Sequence, residues 1–231
     1  MGLMSKQRAR LPHLVEGKRG VAGEVDDLRR DLVNELDALA PIAVEEFIDP
    51  AAADVDAIKT SAASAAAVQS FVAADLDGVV GAGEMVPPRN LDITSTLSGD
   101  IDAVDVVITG KVRNAVGRLV DQTDTITLTD GGNVTDAGTL PFSTVETITV
   151  PAQSGTGGAL SFGFGDLIGL AQPLVSRAGL EAVIREVAIG AVVTTGTFVD
   201  AAGSAPHGTY SPAAAADAAN DYAVYYEYDP T

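Results

Sequence analysis

Val106-Val-Ile-Thr-Gly110, Phe142-Ser-Thr-Val-Glu-Thr-Ile-Thr-Val150 and Ser161-Phe-Gly-Phe-Gly-Asp-Leu-Ile-Gly-Leu170 decide the fold class. All three are rich in β-branched and aromatic residues, interspersed with small or polar ones in a mainly period-2 pattern. A period of two sends alternate side chains to opposite faces, so one face can be buried and the other wetted. Outward from these runs, Leu91 to Leu97 alternates in the same way. Val104 to Val112 and Gly117 to Gln122 flank the turn Arg113-Asn-Ala-Val-Gly117 and read as a hairpin, which Thr125 to Thr129 extends. Asp130-Gly-Gly-Asn133 and Gly155 to Gly158 are turns, and Tyr222 to Tyr228 is a terminal strand. Ser70 to Val80 has room for a first strand. Gly81 to Pro88 reads as a loop, Glu181 to Val199 as a long strand or hairpin, and Gly203 to Asn220 as a loop. Short strands at this spacing predict a mainly β chain, an antiparallel β-sandwich or jelly-roll-like domain over residues 81–231.

The residues before it read differently. Val25, Leu28, Leu32, Leu36 and Leu39 fall on one stripe of a helix from Val21 to Leu39, with Pro41 at its end. Asp49 to Ala67 is rich in Ala and Asp and reads as a linker or weak helix. Residues 21–80 are thus expected to be an amphipathic helix and an extended arm. Residues 1–20 form a basic tail, with Lys6, Arg8, Arg10, Lys18 and Arg19 against the single acid Glu16.

The whole chain of 231 residues has 32 acids against 14 Lys and Arg, a net charge of −18. Such a charge repels phosphate backbones and anionic membranes, so nucleic acid and membrane are not expected partners. An Asp-heavy, Lys-poor composition also suits a saline habitat. With no cysteine there are no disulfides and no thiolate metal sites. No apolar run is long enough for a bilayer, and the N-terminus lacks the apolar core of a secretory signal.

Little in the sequence suggests chemistry. The two histidines, His13 and His207, lie in the tail and in a loop, away from any nucleophile. Gly155-Thr-Gly-Gly158 and Gly163-Phe-Gly165 have the composition of a phosphate loop but lack its lysine and helix. Asp130, Asn133 and Asp136 offer oxygens to Ca²⁺ without the spacing of a calcium loop, and a solvated turn is the better reading. Asn133-Val-Thr135 fits a glycosylation sequon, a short pattern. Paired carboxylates carry no weight among so many acids. No catalytic, cofactor or metal set is expected, and the chain does not read as an enzyme.

From about Asp49 to Leu174 the order of pieces resembles a family from tailed-phage and prophage structural modules. The pieces are Asp49-Pro50, the Ala stretch, Pro88-Arg89-Asn90, Val106 to Gly110, Phe142 to Thr149, and Gly163-x-Gly-Asp-x-x-Gly-Leu170. The resemblance is to capsid decoration (cement) proteins and head-fibre bases. It implies a virion protein on the outer surface of the capsid, bound to the major capsid protein and homo-oligomeric, with a trimer favoured. The basic tail and the helix fall outside the resemblance. From the stripe and the charge asymmetry, Val25, Leu28, Leu32, Leu36 and Leu39 are expected to form an assembly interface, and Arg8, Arg10, Lys18 and Arg19 to meet an acidic capsid surface. A tail, neck or fibre component is the alternative. A carbohydrate-binding β module, with the Tyr222 to Tyr228 strand as its platform, is a second.

Overall fold

A computed structural model of the chain describes residues 42–47, 50–80, 83–96, 100–114, 117–130, 133–172, 185–188, 197–199, 208–212 and 222–227. The chain divides into two units, Met1–Ala40 and Pro41–Thr231, and everything described belongs to the second. The expected helix and basic tail lie outside the described residues.

The strands are β1 (Ile42–Phe47), β2 (Asp54–Ala63), β3 (Gln69–Val72), β4 (Glu84–Thr96), β5 (Asp105–Arg113), β6 (Leu119–Thr127) and β7 (Thr135–Ala137). They continue with β8 (Phe142–Val150), β9 (Ala159–Gly169), β10 (Arg185–Ala188), β11 (Thr197–Val199), β12 (Thr209–Ser211) and β13 (Tyr222–Glu227). Every pairing among them is antiparallel. The mainly β, sandwich-like class expected from the alternation is what forms.

The alternation builds two layers. In β5 the residues Val106, Ile108, Gly110 and Val112 are buried, and the residues between them are not. β5 pairs with β6 on one edge and with β8 on the other, and β3 adds to the far edge of β8. In the second layer β9 pairs with β4 along its length, and its opposite edge is shared by β2 and β12. β7 closes the outer edge of β4 at Asp92 to Thr94. β4 also joins the layers, because Glu84 and Arg89 pair with β8 before the strand goes on beside β9.

The inward faces meet in one core. It contains Ile58, Leu91, Ile93, Leu160 and Phe162 from one layer and Val106, Ile108, Ile126, Phe142 and Ile148 from the other. The Phe71 and Phe162 rings meet across it at 5.8 Å. Each such side chain contributes about 1.5–3 kcal/mol by leaving water. A three-stranded sheet, in the order β1, β13, β10, makes a second cluster. There Ala43, Phe47, Val224 and Tyr226 pack with Ile168, Leu170 and Tyr210.

Several elements differ from expectation, each for a physical reason. The β unit begins at Pro41 rather than at residue 81. The Ala-rich segment is β2, not a linker or weak helix, because Ala57, Ile58 and Ala62 are buried against the core. Small side chains suit that position, since the β2 backbone lies directly on Gly163, where a Cβ would collide with the Asp54 carbonyl. β4 starts inside the expected Gly81 to Pro88 loop. Its ladder is irregular between Glu84 and Arg89, where Pro87 and Pro88 have no N–H to donate. The two short runs after Gly117 are one strand, β6. β7 and β12 fall in segments read as turn and loop.

Phe142 to Val150 is β8, as expected, with one added feature. Between Val145 and Thr147 it spends two residues against the single step from Gly110 to Thr109 on β5. This is a β-bulge. Gly110 sits at it, and a Cβ there would press on the Thr144 carbonyl and lie 2.8 Å from the Phe142 ring. We predict that Gly110→Val lowers stability by about 1–3 kcal/mol through overpacking. Urea denaturation would show a lower midpoint with an unchanged slope. An unchanged midpoint would mean that Gly110 and Phe142 are not in contact.

Candidate functional site

The most deeply buried charge in the described structure is Arg89, on β4. Its side chain is 3% exposed. Nε donates to the Gly165 carbonyl at 2.8 Å and Nη1 to the Ala51 carbonyl at 3.1 Å. The guanidinium lies 5.0 Å over the Phe164 ring, and Nη2 stands 3.6 Å from Asp166, an ion pair without a hydrogen bond. Burial lowers the Arg89 pKa, and Asp166 and Asp92 oppose that shift. Asp92 is raised, mainly by burial and then by Asp166.

Asn90 completes the arrangement. Its amide donates to Asp92 at 2.9 Å and to the Gly138 carbonyl at 3.2 Å, and its oxygen accepts from Leu167 N–H at 3.0 Å. Gly165 leaves room for it, since a Cβ there would lie 2.7 Å from the Asn90 amide. Two motifs far apart in sequence, Pro88-Arg89-Asn90 and Gly163 to Asp166, are thereby fastened together. Sequence reasoning placed both motifs but missed this contact. The signal was a lone arginine entering a strand beside an otherwise apolar run.

The glycine-rich turn is used in the same structural way. Gly157 N–H donates to Asp100 at 3.1 Å, and Ser154 donates to Asp102 through N–H at 2.6 Å and Oγ at 2.8 Å. The anion at Gly155 to Gly158 is thus a carboxylate of the chain itself. Asp136 spends both oxygens on Thr129, at 2.8 Å to N–H and 2.7 Å to Oγ1. Among the described residues no group of three His, Cys, Asp or Glu side chains is placed to hold a metal.

An open cleft of about 290 Å³ lies between β1, the start of β4 and the end of β9. Glu45, Glu46 and Arg113 supply its charges, and Phe47, Val86, Pro87 and Pro88 supply apolar wall. Glu45 accepts from Ala171 N–H at 2.7 Å and from the Tyr226 hydroxyl. Burial raises the Glu45 carboxyl above its ordinary value, opposed first by the Tyr226 hydrogen bond. Burial also raises the Tyr226 hydroxyl, with Glu45 adding to the shift. The described lining residues include two acids and a cation but no hydroxyl nucleophile or imidazole.

The other expected site residues fall as follows. Val25, Leu28, Leu32, Leu36 and Leu39, with Arg8, Arg10, Lys18 and Arg19, lie outside the described residues, as do His13 and His207. The Tyr222 to Tyr228 strand is β13 as far as Glu227, but Val224 and Tyr226 are 0% exposed. That face packs inward, so it offers no sugar platform at those two positions. No family model matches the chain, and neither a curated protein nor a solved structure does.

Two predictions follow from the buried groups. Arg89→Leu should cost about 3 kcal/mol, because it strands the Gly165 and Ala51 carbonyls and leaves Asp166 and Asp92 uncompensated. A denaturation midpoint equal to wild type would show that the guanidinium is dispensable. For Glu45, the raised folded-state pKa means that the folded chain holds the proton more tightly than the unfolded chain. The contribution is full below the ordinary value of 4.5 and is lost as pH rises through the folded value. Glu45→Gln should therefore gain on wild type as pH rises from acid to neutral, read from denaturation midpoints. A variant that loses ground to wild type over the same rise in pH would overturn the prediction.

Proposed function

We propose that this chain is a virion structural protein, a capsid decoration protein on the outer surface of an icosahedral head. It would bind the major capsid protein and bridge neighbouring subunits. Such a protein makes and breaks no covalent bonds. It adds buried interface, on the order of 1,600 Å² per standard contact, repeated over many copies. Closed symmetry suits that repetition, and a trimer fits a three-fold position.

One observation carries the reading. Segments behind the phage-module resemblance act as fasteners of the fold: Arg89 and Asn90 lock onto Gly165 and Leu167, and Gly110 admits Phe142. A resemblance carried by such residues concerns the scaffold, which is what a coating module would share. The tail, neck or fibre reading uses the same scaffold and differs in placement on the particle.

Electron cryo-microscopy of virions of the encoding virus tests it by locating and counting copies. We expect copies in the hundreds over the outer shell, on the order required to cover an icosahedral surface. Density confined to portal, neck or tail would move the function to the alternative. Absence from the particle would end the structural reading. In the same particles, Leu32→Asp with Leu36→Asp should reduce occupancy if the leucine stripe serves assembly.

A further inference from the structure

The outer face of the layer formed by β3, β8, β5 and β6 carries an unusual set of residues for so acidic a chain. Two ranks cross the four strands. Ser70 pairs with Thr149, Thr149 with Val107, and Val107 with Thr125. Next to them, Val72 pairs with Thr147, Thr147 with Thr109, and Thr109 with Thr123. None of the eight is charged, although charged residues make up 20% of the chain. All eight point away from the core, since their strand neighbours Phe71, Val106, Ile108, Ile126 and Ile148 face into it.

Charge returns only at the rims. On one side Lys111 pairs with Asp121 at 2.7 Å and with Glu146 at 3.0 Å. On the other, Thr127 donates to Asp105 at 2.6 Å. The face also has apolar exposure, with Val72 47% exposed and Val68, just before β3, 66% exposed. The Thr109 and Thr147 hydroxyls bond to each other across the strands, which holds the centre of the array in one arrangement.

We infer that this face is a self-association surface whose occupant is a second copy of this chain. Copies that each carry −18 repel one another over most of their surface. A charge-free face is where that repulsion is smallest, and methyl-bearing threonines and valines give it something to bury. A two-fold axis through the face would set like residues against like, as an isologous contact requires. The size sets the strength. Two ranks about 7 Å apart on strands about 4.8 Å apart cover about 300 Å². A standard interface needs about 800 Å² per partner, so the contact is weak and forms where copies are crowded. Screening weakens the residual repulsion, so salt strengthens it. This inference does not rest on the proposed role in the virion or on the leucine stripe.

Sedimentation equilibrium of the purified full chain, across protein and NaCl concentration, tests it. Wild type should self-associate weakly, and more strongly in high salt. Thr123→Glu with Thr125→Glu should weaken that association by about tenfold or more, which is about 1.4 kcal/mol or more. Val79→Glu with Val86→Glu adds the same charge elsewhere, at positions 84% and 98% exposed, and should leave most of the association intact. Backbone NMR shifts of wild type with concentration give a readout free of any substitution. They should move at Ser70, Val72, Val107 and Thr149. A chain monomeric at millimolar concentration in high salt would overturn the inference. So would equal effects of the two double variants, or concentration-dependent shifts that avoid this face.

Discussion

The described fold depends on how closely other chain segments can approach β9. This strand is hydrogen-bonded on both edges, to β4 on one and to β2 and β12 on the other. Three of its positions have no Cβ where one would collide, the last being Gly169 against Pro141. Gly163 receives the β2 backbone, and Gly165 makes room for Asn90 and Asp92. With side chains there, β2 would be held off, and the Ala51 carbonyl beside it could not reach the Arg89 guanidinium. Sheet order, the buried cation and the packing of Ile58 into the core all follow from that approach.

The legible parts of the sequence were those in which burial alone decides the structure. Phe142 to Val150 and Val106 to Val112 were readable because their large apolar residues, Val107 apart, mark the buried face directly. The Ala-rich β2 was not, because alanine is small enough to be buried or exposed and carries no period of its own. What fixes β2 is Gly163, about a hundred residues away, and no local pattern reports that. The entry into β4 was hidden by its prolines, which weigh against regular strand even where a neighbour accepts an irregular ladder. Of the candidate sites, the tyrosine strand was found but its facing was not. Alternation says that Val224 and Tyr226 share a side, and the contact with Phe47 and Leu170 decides that the side is buried.

The acids also behave differently from a uniformly solvated coat. Asp75, Asp77, Asp100, Asp102, Asp124 and Asp136 each accept a backbone N–H, most of them from a turn or near the end of a strand. Asp124 takes three, from Thr125, Thr139 and Leu140, and so ties β6 to the segment that follows β7. Aspartate is short enough to reach such amides, which is a structural reason for it to outnumber glutamate in a chain with many turns. Part of the net charge is therefore a by-product of loop fixation, which counting acids could not reveal.

The course of β4 has a mechanical consequence. Most two-layered sheets can slide or peel apart along an interface of side chains. Here one continuous strand is laced into both layers, beside β8 at Glu84 and Arg89 and beside β9 through to Thr96. A load applied to either layer is carried into the other along covalent backbone. Shearing the layers apart would require unlacing β4 from one of them, so rupture must begin in its ladder rather than in the greasy gap between the sheets.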